Sequence, residues 1–335
     1  MTTAGQSSDS NLAPFRLAPR FVNRVWGYRD LRPWYDCIAE GDPVGEVWLT
    51  GDECLVASGP HQGKSLKALF AEVPELLLGA GAPSPESPLL IKVIFAQEKL
   101  SVQVHPDDRL AQKYGHPRGK TECWYALSAE PGALVACGLK PGVTIEKVEE
   151  GIHDGTLEGS LQMLEVAAGE MIFVDAGTVH AIWPGSILLE IQQNCDLTYR
   201  MYDYGRPREL HIEKSLQALR LATGSGKIEP RQLVDRTILI DTEYFRVERI
   251  PILGSRASYT LGLPLPGQSE PEKELSYLFA AAGSGQIVGP EFAAGEVPAR
   301  AIVAVPAASP EFAIEDRGGL ELIRMTPKWP GEPVG

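Results

Sequence analysis

Leu100-Ser101-Val102-Gln103-Val104-His105-Pro106-Asp107-Asp108 alternates apolar and polar side chains without a break up to His105. That is the pattern of a half-buried β-strand, in which successive side chains change face. Leu100, Val102 and Val104 then point to one side, and Ser101, Gln103 and His105 to the other. A hydroxyl, a carboxamide and an imidazole aligned on one strand face form the expected edge of a metal and anion site. The question is whether the rest of the chain supplies the remaining ligands.

The neighbouring segments repeat the short-strand pattern. Apolar pieces separated by Gly, Pro and Asp run from Phe15 to Gly59, as in GEVWLTGDECLVASG (residues 45–59). SLKALFAEVPELLL (65–78) reads as a helix interrupted near Pro74. PLLIKVIFA (88–96) is a strand broken by Lys92, and it is too short to span a membrane. Asp107–Tyr114 suits a short helix, and Val143–Gly155 a longer one capped by Thr144. Strands are expected at Glu122–Leu127, Leu134–Gly138, Leu161–Val166 and in MIFVDAG, ILLEIQQ and LTYRMYDY. Glu209–Ala222 gives the clearest helical stripe, through Ile212, Leu216 and Leu219. A linker, TGSGKIEPRQ (223–232), follows, and the chain is β-rich again from Arg236. The expected organisation is a polar, disordered tail over residues 1–14, a β-domain with helical segments over 15–225, and a second β-domain over 236–335.

Bulk composition narrows the function. Over 335 residues, 44% are hydrophobic and 22% charged, as in an ordinary soluble globular protein. A net charge of −13 argues against general nucleic-acid binding, and means that an anionic substrate needs a local basic cluster. Five cysteines without CxxC spacing fit reduced thiols. The opening MTTAGQSSDSNLAP has neither the basic patch nor the apolar core of a signal peptide. The expectation is a cytoplasmic protein with no membrane partner.

Three further segments carry chemistry. In GKTECWYAL (119–127), Lys120 and Glu122 share a strand face. In DAGTVHAI (175–182), His180 follows a Gly-bearing turn. His105, Glu122 and His180, with Gln103 as a further donor, form a two-histidine, one-glutamate set of the kind that holds catalytic zinc with a position left open. Each member alone has a plainer reading: a β-protein histidine is more often structural, and Glu122 beside Lys120 could be an exposed charge pair. In EIQQNCDLTYRMYDYGR (190–206), Glu190 and Gln192 share one face and Thr198, Arg200 and Tyr202 another. An inward arginine needs a carboxylate or an anionic ligand; a structural pair of Arg200 with Glu190 or Asp196 is the alternative. Arg206, Arg208 and Lys214 add positive charge, either to a site or to a solvated helix approach.

LSVQVHPDD, GKTECWYAL, DAGTVHAI and EIQQNCDLTYRMYDYGR, in this order, resemble the motifs of type I phosphomannose isomerases of the shorter bacterial form. RVWGYRDL (24–31) and GEVWLTG (45–51) are weaker matches, and the resemblance spans about Leu17 to Leu221. It implies a mainly β fold, with a cupin-type jelly-roll catalytic domain, helical segments and a second, degenerate jelly roll. It further implies one Zn2+ per chain on Gln103, His105, Glu122 and His180, with Gln103 the peripheral member. Arg200 falls on the catalytic arginine; Glu190, Lys120 and Asp196 fall on positions assigned to proton transfer or substrate contact. Ser101, Lys120 and Arg206 fall near the sugar phosphate. The reaction implied is interconversion of mannose 6-phosphate and fructose 6-phosphate through an enediol(ate), by a monomer or weak homodimer. Two departures stand out. Trp26-Gly27-Tyr28 replaces a usual Trp-Gly-Gly, and Gly119 replaces a histidine found in some members. The rival readings are an Fe(II) cupin oxygenase and a sugar-phosphate-binding cupin without catalysis.

Overall fold

The computed structural model describes residues 11–252 and 273–330. The chain divides into two compact units. One comprises residues 19–51 and 88–231, and the other 1–18, 52–87 and 232–335.

The first unit holds every residue singled out above. A sheet of seven strands runs, in spatial order, Gly226–Ile228, Met171–Val174, Glu122–Ala129, Ser186–Gln193, Leu89–Phe95, Val44–Trp48 and Arg20–Tyr28. A sheet of five runs Tyr199–Tyr202, Val102–Val104, His180–Ile182, Leu134–Leu139 and Leu161–Glu165. The two enclose a core in which Ile94, Trp124, Ala126, Ile172 and Leu188 of the larger sheet meet Val135, Cys137 and Ile182 of the smaller. This is a jelly roll of the cupin type, made of antiparallel pairs. On the outer face of the five-stranded sheet, Val102, Val104, Tyr199 and Met201 pack with Val148 and Ile152 of the Ile145–Asp154 helix and Ala218 of the Ile212–Ala218 helix. Val102 and Val104 therefore fill one core while the alternate face of their strand is left for polar groups, as the two-residue period requires.

Local sequence explains the helix starts. Asp107 accepts from the Leu110 N–H at 2.8 Å and Thr144 from the Lys147 N–H at 3.3 Å, each satisfying a first-turn donor. Pro74 breaks the 65–78 segment into Leu66–Glu72 and Pro74–Leu78. The Glu209–Ala222 helix is shorter than its stripe suggests, spanning only Ile212–Ala218. Its approach is tied elsewhere: Arg200 Nη1 donates to the Glu209 carbonyl, and the His211 N–H to the Arg200 carbonyl. Past its end the Arg220 N–H donates to Gly177. Tertiary hydrogen bonds take the groups that another helical turn would have needed.

In the second unit a sheet runs Phe15–Leu17, Ile302–Val305, Ser276–Ala282, Glu321–Pro327, Phe245–Pro251 and Thr237–Asp241. A three-stranded sheet, Phe292–Val297, Gly285–Gly289 and Ala313–Asp316, joins it around Ile250, Leu278, Ile287, Ile314 and Leu322. The expected domain limits need correction. Phe15 pairs with Ala304, and the Ala307 N–H donates to the Leu77 carbonyl, so the N-terminal strand and both short helices complete the C-terminal unit. Residues 1–10 of the expected tail lie outside the described residues, but Leu12 is buried and its N–H bonds Ala308. Among the described residues no helix is long and apolar enough to cross a membrane.

Gly27 shows what the Trp26-Gly27-Tyr28 departure leaves fixed. A Cβ there would stand 2.3 Å from the Val44 carbonyl carbon and oxygen, backbone that cannot step aside cheaply. Gly27→Ala is expected to cost at least about 1–3 kcal/mol through overlap and to lower the calorimetric melting midpoint. Gly159→Ala, where added Cβ meets nothing within 4 Å, should stay within about 0.5 kcal/mol.

Candidate metal centre and substrate cleft

Strand register brings the donors together. His180 lies opposite Gln103, and Arg200 opposite Gln103 on its other side, so three polar residues cross the smaller sheet in one row. On the larger sheet, Glu122 opens its strand beside Gln192, while Glu190 sits between Lys92 and Trp124. Gly119 is obligatory just before this: a Cβ there would lie 2.5 Å from the Asp107 carbonyl carbon. A histidine at that position is incompatible with this backbone path. The Gly119 N–H donates to Asp108 Oδ1 at 2.6 Å, which fixes the entry to Lys120.

His105, Glu122 and His180 form a group suited to hold a metal ion, with potential ligand atoms all within 4.8 Å of one another and every member buried. His105 Nε2 is 3.5 Å from Glu122 Oε2, and His180 Nε2 is 3.4 Å from Oε1. Each Nδ1 faces a backbone carbonyl, Leu197 at 2.9 Å and Thr178 at 2.8 Å. A carbonyl only accepts, so each Nδ1 carries the proton and each Nε2 offers a lone pair inward. Burial pushes His180 down to about 4 despite the Thr178 hydrogen bond, and pushes His105 well below its usual value, with Lys120 adding to both shifts. Neutral imidazoles are what a cation needs. The Gln103 side-chain amide is 3.2 Å from His180 Nε2, within reach of the same point.

Glu122 supplies the strongest test of fit. It is fully buried, and neither carboxylate oxygen takes part in a well-formed hydrogen bond, although the Lys120 ammonium stands 2.9 Å from Oε2. A dry carboxylate short of donors, faced by two neutral imidazoles, fits a divalent cation. Lys120 Nζ also lies 3.0 Å from His105 Nε2.

From this centre an alternating chain of charge crosses the larger sheet. Lys120 is 3.7 Å from Glu190, Glu190 is 3.2 Å from Lys92, and Lys92 is 3.8 Å from both Glu46 and Asp196. Glu46 is held by Arg24 through Nε at 3.0 Å and Nη2 at 2.9 Å, and by Trp48 Nε1 at 2.7 Å. Burial disfavours an ammonium at Lys92 and Lys120, yet their carboxylate neighbours win and hold both protonated above the usual lysine range. Burial and Glu122 together raise Glu190 above the usual carboxylate value, against the pull of the two lysines.

Arg24, Glu46, Lys92, Lys120, Glu190 and Asp196 line a cleft of about 420 Å³, within the range of small-molecule sites. Its wall includes Ser101, Gln103, Lys120, Glu190, Asp196 and Arg200 from the sequence reading. The structural pair of Arg200 with Glu190 or Asp196 does not form: Arg200 Nη1 bonds the Glu209 carbonyl, and Glu190 pairs with the lysines. Nor does Arg206 line the cleft. It donates to the Lys99 carbonyl, Asp203 and Glu98, while Arg208 stands on the wall instead. Sequence reasoning overlooked Lys92, Glu46 and Arg24 as site residues. The signal for Lys92 was present, as a lone charge within an apolar strand buried on both faces.

Known proteins resemble this chain in sequence and in fold. Residues 15–137 match the family described as phosphomannose isomerase type I, catalytic domain. A probable mannose-6-phosphate isomerase of Bacillus subtilis is 33% identical over 275 residues, covering 76% of this chain and 86% of the relative. A mannose-6-phosphate isomerase of Streptococcus mutans is 34% identical over 273 residues, covering 76% and 85%. The crystal structure of the mannose 6-phosphate isomerase from Bacillus subtilis superposes with a TM-score of 0.82 at 29% identity, over 94% of this chain and 99% of that one. The chain is therefore an enzyme of the type I phosphomannose isomerase family.

Proposed function

We propose that this enzyme interconverts D-mannose 6-phosphate and D-fructose 6-phosphate with one Zn2+ held by His105, Glu122 and His180, and Gln103 as an outer donor. The observation that carries the reading is the buried His-Glu-His set next to a cleft, which it reaches through Gln103 and Lys120, with five cationic side chains against three carboxylates on the cleft wall. In a chain of net charge −13 that local surplus selects an anionic substrate. The five cysteines are free thiols, in keeping with a reducing cytoplasm. The same three ligands would suit Fe(II), but oxygen chemistry gives no reason for the cationic wall.

A Zn2+ held by His105, Glu122 and His180 would supply Lewis-acid polarisation of the sugar's reacting oxygens. The chain's own groups move the proton. Aldose to ketose requires loss of the C2 proton, formation of an enediol(ate), and return of a proton to C1. Glu190 is the first candidate base, because its burial raises its proton affinity toward the range where a carboxyl group both takes and returns a proton. Asp196, half-exposed and 3.8 Å from Lys92, is the second. Lys120 is held as an ammonium by Glu122 and Glu190, so it serves as fixed positive charge near the developing oxyanion rather than as the base. Arg200 adds a second fixed charge from the cleft wall, and Ser101 a hydroxyl.

Chelation should abolish fructose 6-phosphate formation in a coupled assay, and Zn2+ should restore it, with metal analysis giving about one ion per chain. His105→Ala should lose metal and turnover together; a metal-free variant that still turns over would remove zinc from the reaction.

Glu190→Gln keeps shape and metal but removes the base, and kcat should fall by roughly 10²–10⁴. The base works deprotonated and its pKa is raised by burial, so kcat/KM should be present above that value and fall as pH drops through it. This acid limb should lie above the ordinary glutamate value of about 4.3. A normal kcat in the variant would pass the role to Asp196.

For Arg200→Ala the expectation is loss of about 3 kcal/mol of transition-state stabilisation, on the order of a hundredfold in turnover, with zinc content unchanged. Near-normal turnover would take Arg200 out of the mechanism.

A further inference from the structure

The turn that follows the Tyr199–Tyr202 strand holds two arginines around one carboxylate. Tyr204 and Gly205 adopt left-handed conformations, with φ of 55° and 78°, and the Arg206 N–H closes the turn on the Asp203 carbonyl at 3.0 Å. Asp203 is buried. It accepts from Arg208 Nε at 2.6 Å and Nη2 at 2.7 Å, and from Arg206 Nη1 at 3.3 Å.

The two arginines then diverge. Arg206 is spent on structure, with Nη1 also bonding the Lys99 carbonyl and Nη2 reaching Glu98. Arg208 gives Asp203 one edge of its fork, and among the described residues its Nη1 makes no hydrogen bond. Arg208 lines the cleft together with Arg200, and Arg206 does not. Arg200 has no carboxylate partner within ion-pair distance among the described residues, and its buried Nε has no hydrogen-bond partner. Burial and then the charge of Arg208 hold the Arg200 guanidinium below its usual proton affinity, so the two cations feel each other. Two neighbouring cations, Arg200 without a carboxylate partner and Arg208 sharing Asp203 with Arg206, leave positive charge that an anion would relieve.

We propose that Arg208, oriented by Asp203, is the residue that recognises the phosphate group of the substrate, and that Arg206 is a strut of the turn. The proposal rests on the sugar-phosphate reading above, and it replaces Arg206 in the phosphate role implied by the sequence. Asp203 is a positioning residue: by occupying one edge of the fork it turns the other into the cleft. A planar fork rather than a point charge is what paired phosphate oxygens select.

The test is equilibrium binding of inorganic phosphate to the zinc-loaded full-length protein by calorimetry, beside KM and kcat for mannose 6-phosphate. R208Q should weaken phosphate binding and raise KM by roughly tenfold to a hundredfold, the range of a charge-assisted hydrogen bond, with kcat changing less and zinc content unchanged. R208K, which keeps charge without the fork, should recover only part of the loss and guards against a folding artefact in R208Q. D203N should shift KM in the same direction by a smaller factor. Unchanged phosphate affinity in R208Q, full recovery in R208K, or an equal loss in R206Q would overturn the proposal. Arg208-dependent phosphate binding without fructose 6-phosphate formation would keep the phosphate site and refute the isomerase reading. Isomerase activity with phosphate binding indifferent to Arg208 would do the reverse.

Discussion

A carboxylate buried without hydrogen bonds is the constraint around which the catalytic unit is arranged. Glu122 is sealed between two sheets, and an uncompensated charge there would cost several kcal/mol. The Lys120 ammonium at 2.9 Å answers it, but Lys120 is itself buried and must be answered in turn. Glu190, Lys92, Glu46 and Arg24 continue the alternation until the last guanidinium reaches partial exposure. No member can be neutralised without stranding its neighbour. The cluster is therefore poised for chemistry at its buried end and anchored at its outer end.

The two-residue period of β-structure makes this alternation possible. Cross-strand register sets Lys92 opposite Glu190, and Glu190 opposite Trp124, so oppositely charged side chains on adjacent strands share one face. The opposite faces of these strands carry buried apolar side chains, Ile91, Val93, Leu189 and Ile191, while along the charged face Ile94, Leu188 and Ala126 continue into the core between the sheets. A slip of one residue in any of them would put a charge in a core and a valine in the cleft, so the site and the packing enforce one register.

Much of this was legible before any coordinates, because alternation is a local property. The face of Ser101, Gln103 and His105, the pairing of Lys120 with Glu122, and the caps at Asp107 and Thr144 follow from residues a few positions apart. What escaped depends on distant partners. Phe15 belongs with Ala304, and no nearby residue says so. Lys92 reads as a flaw in an apolar strand until Glu46, Glu190 and Asp196 arrive from three other segments. Arg206 and Arg208 are two residues apart and chemically identical; only the fold of the Asp203 turn sends one to Glu98 and the other to the cleft wall.

Exposure sorts the charges by task. The deep ones are matched one for one: Lys120 with Glu122 and Lys92 with Glu190. That end of the cleft has little net field, which suits the neutral carbonyl and hydroxyl end of a sugar whose charge develops only during reaction. Arg200 and Arg208 are less buried than these lysines; Arg208 shares its one carboxylate partner, Asp203, with Arg206, and Arg200 has none within ion-pair distance among the described residues. The surplus sits where a permanent anion would be captured. Beyond about 8 Å, salt screens the repulsion from the acidic surface, so capture depends on these near groups rather than on the net charge of the chain. A substrate lacking the anion would meet two guanidinium groups with nothing to bind, and its reactive end would not be held against the metal ligands. On the proposed function, discrimination for a phosphorylated sugar would follow from where the fold leaves charge unmatched.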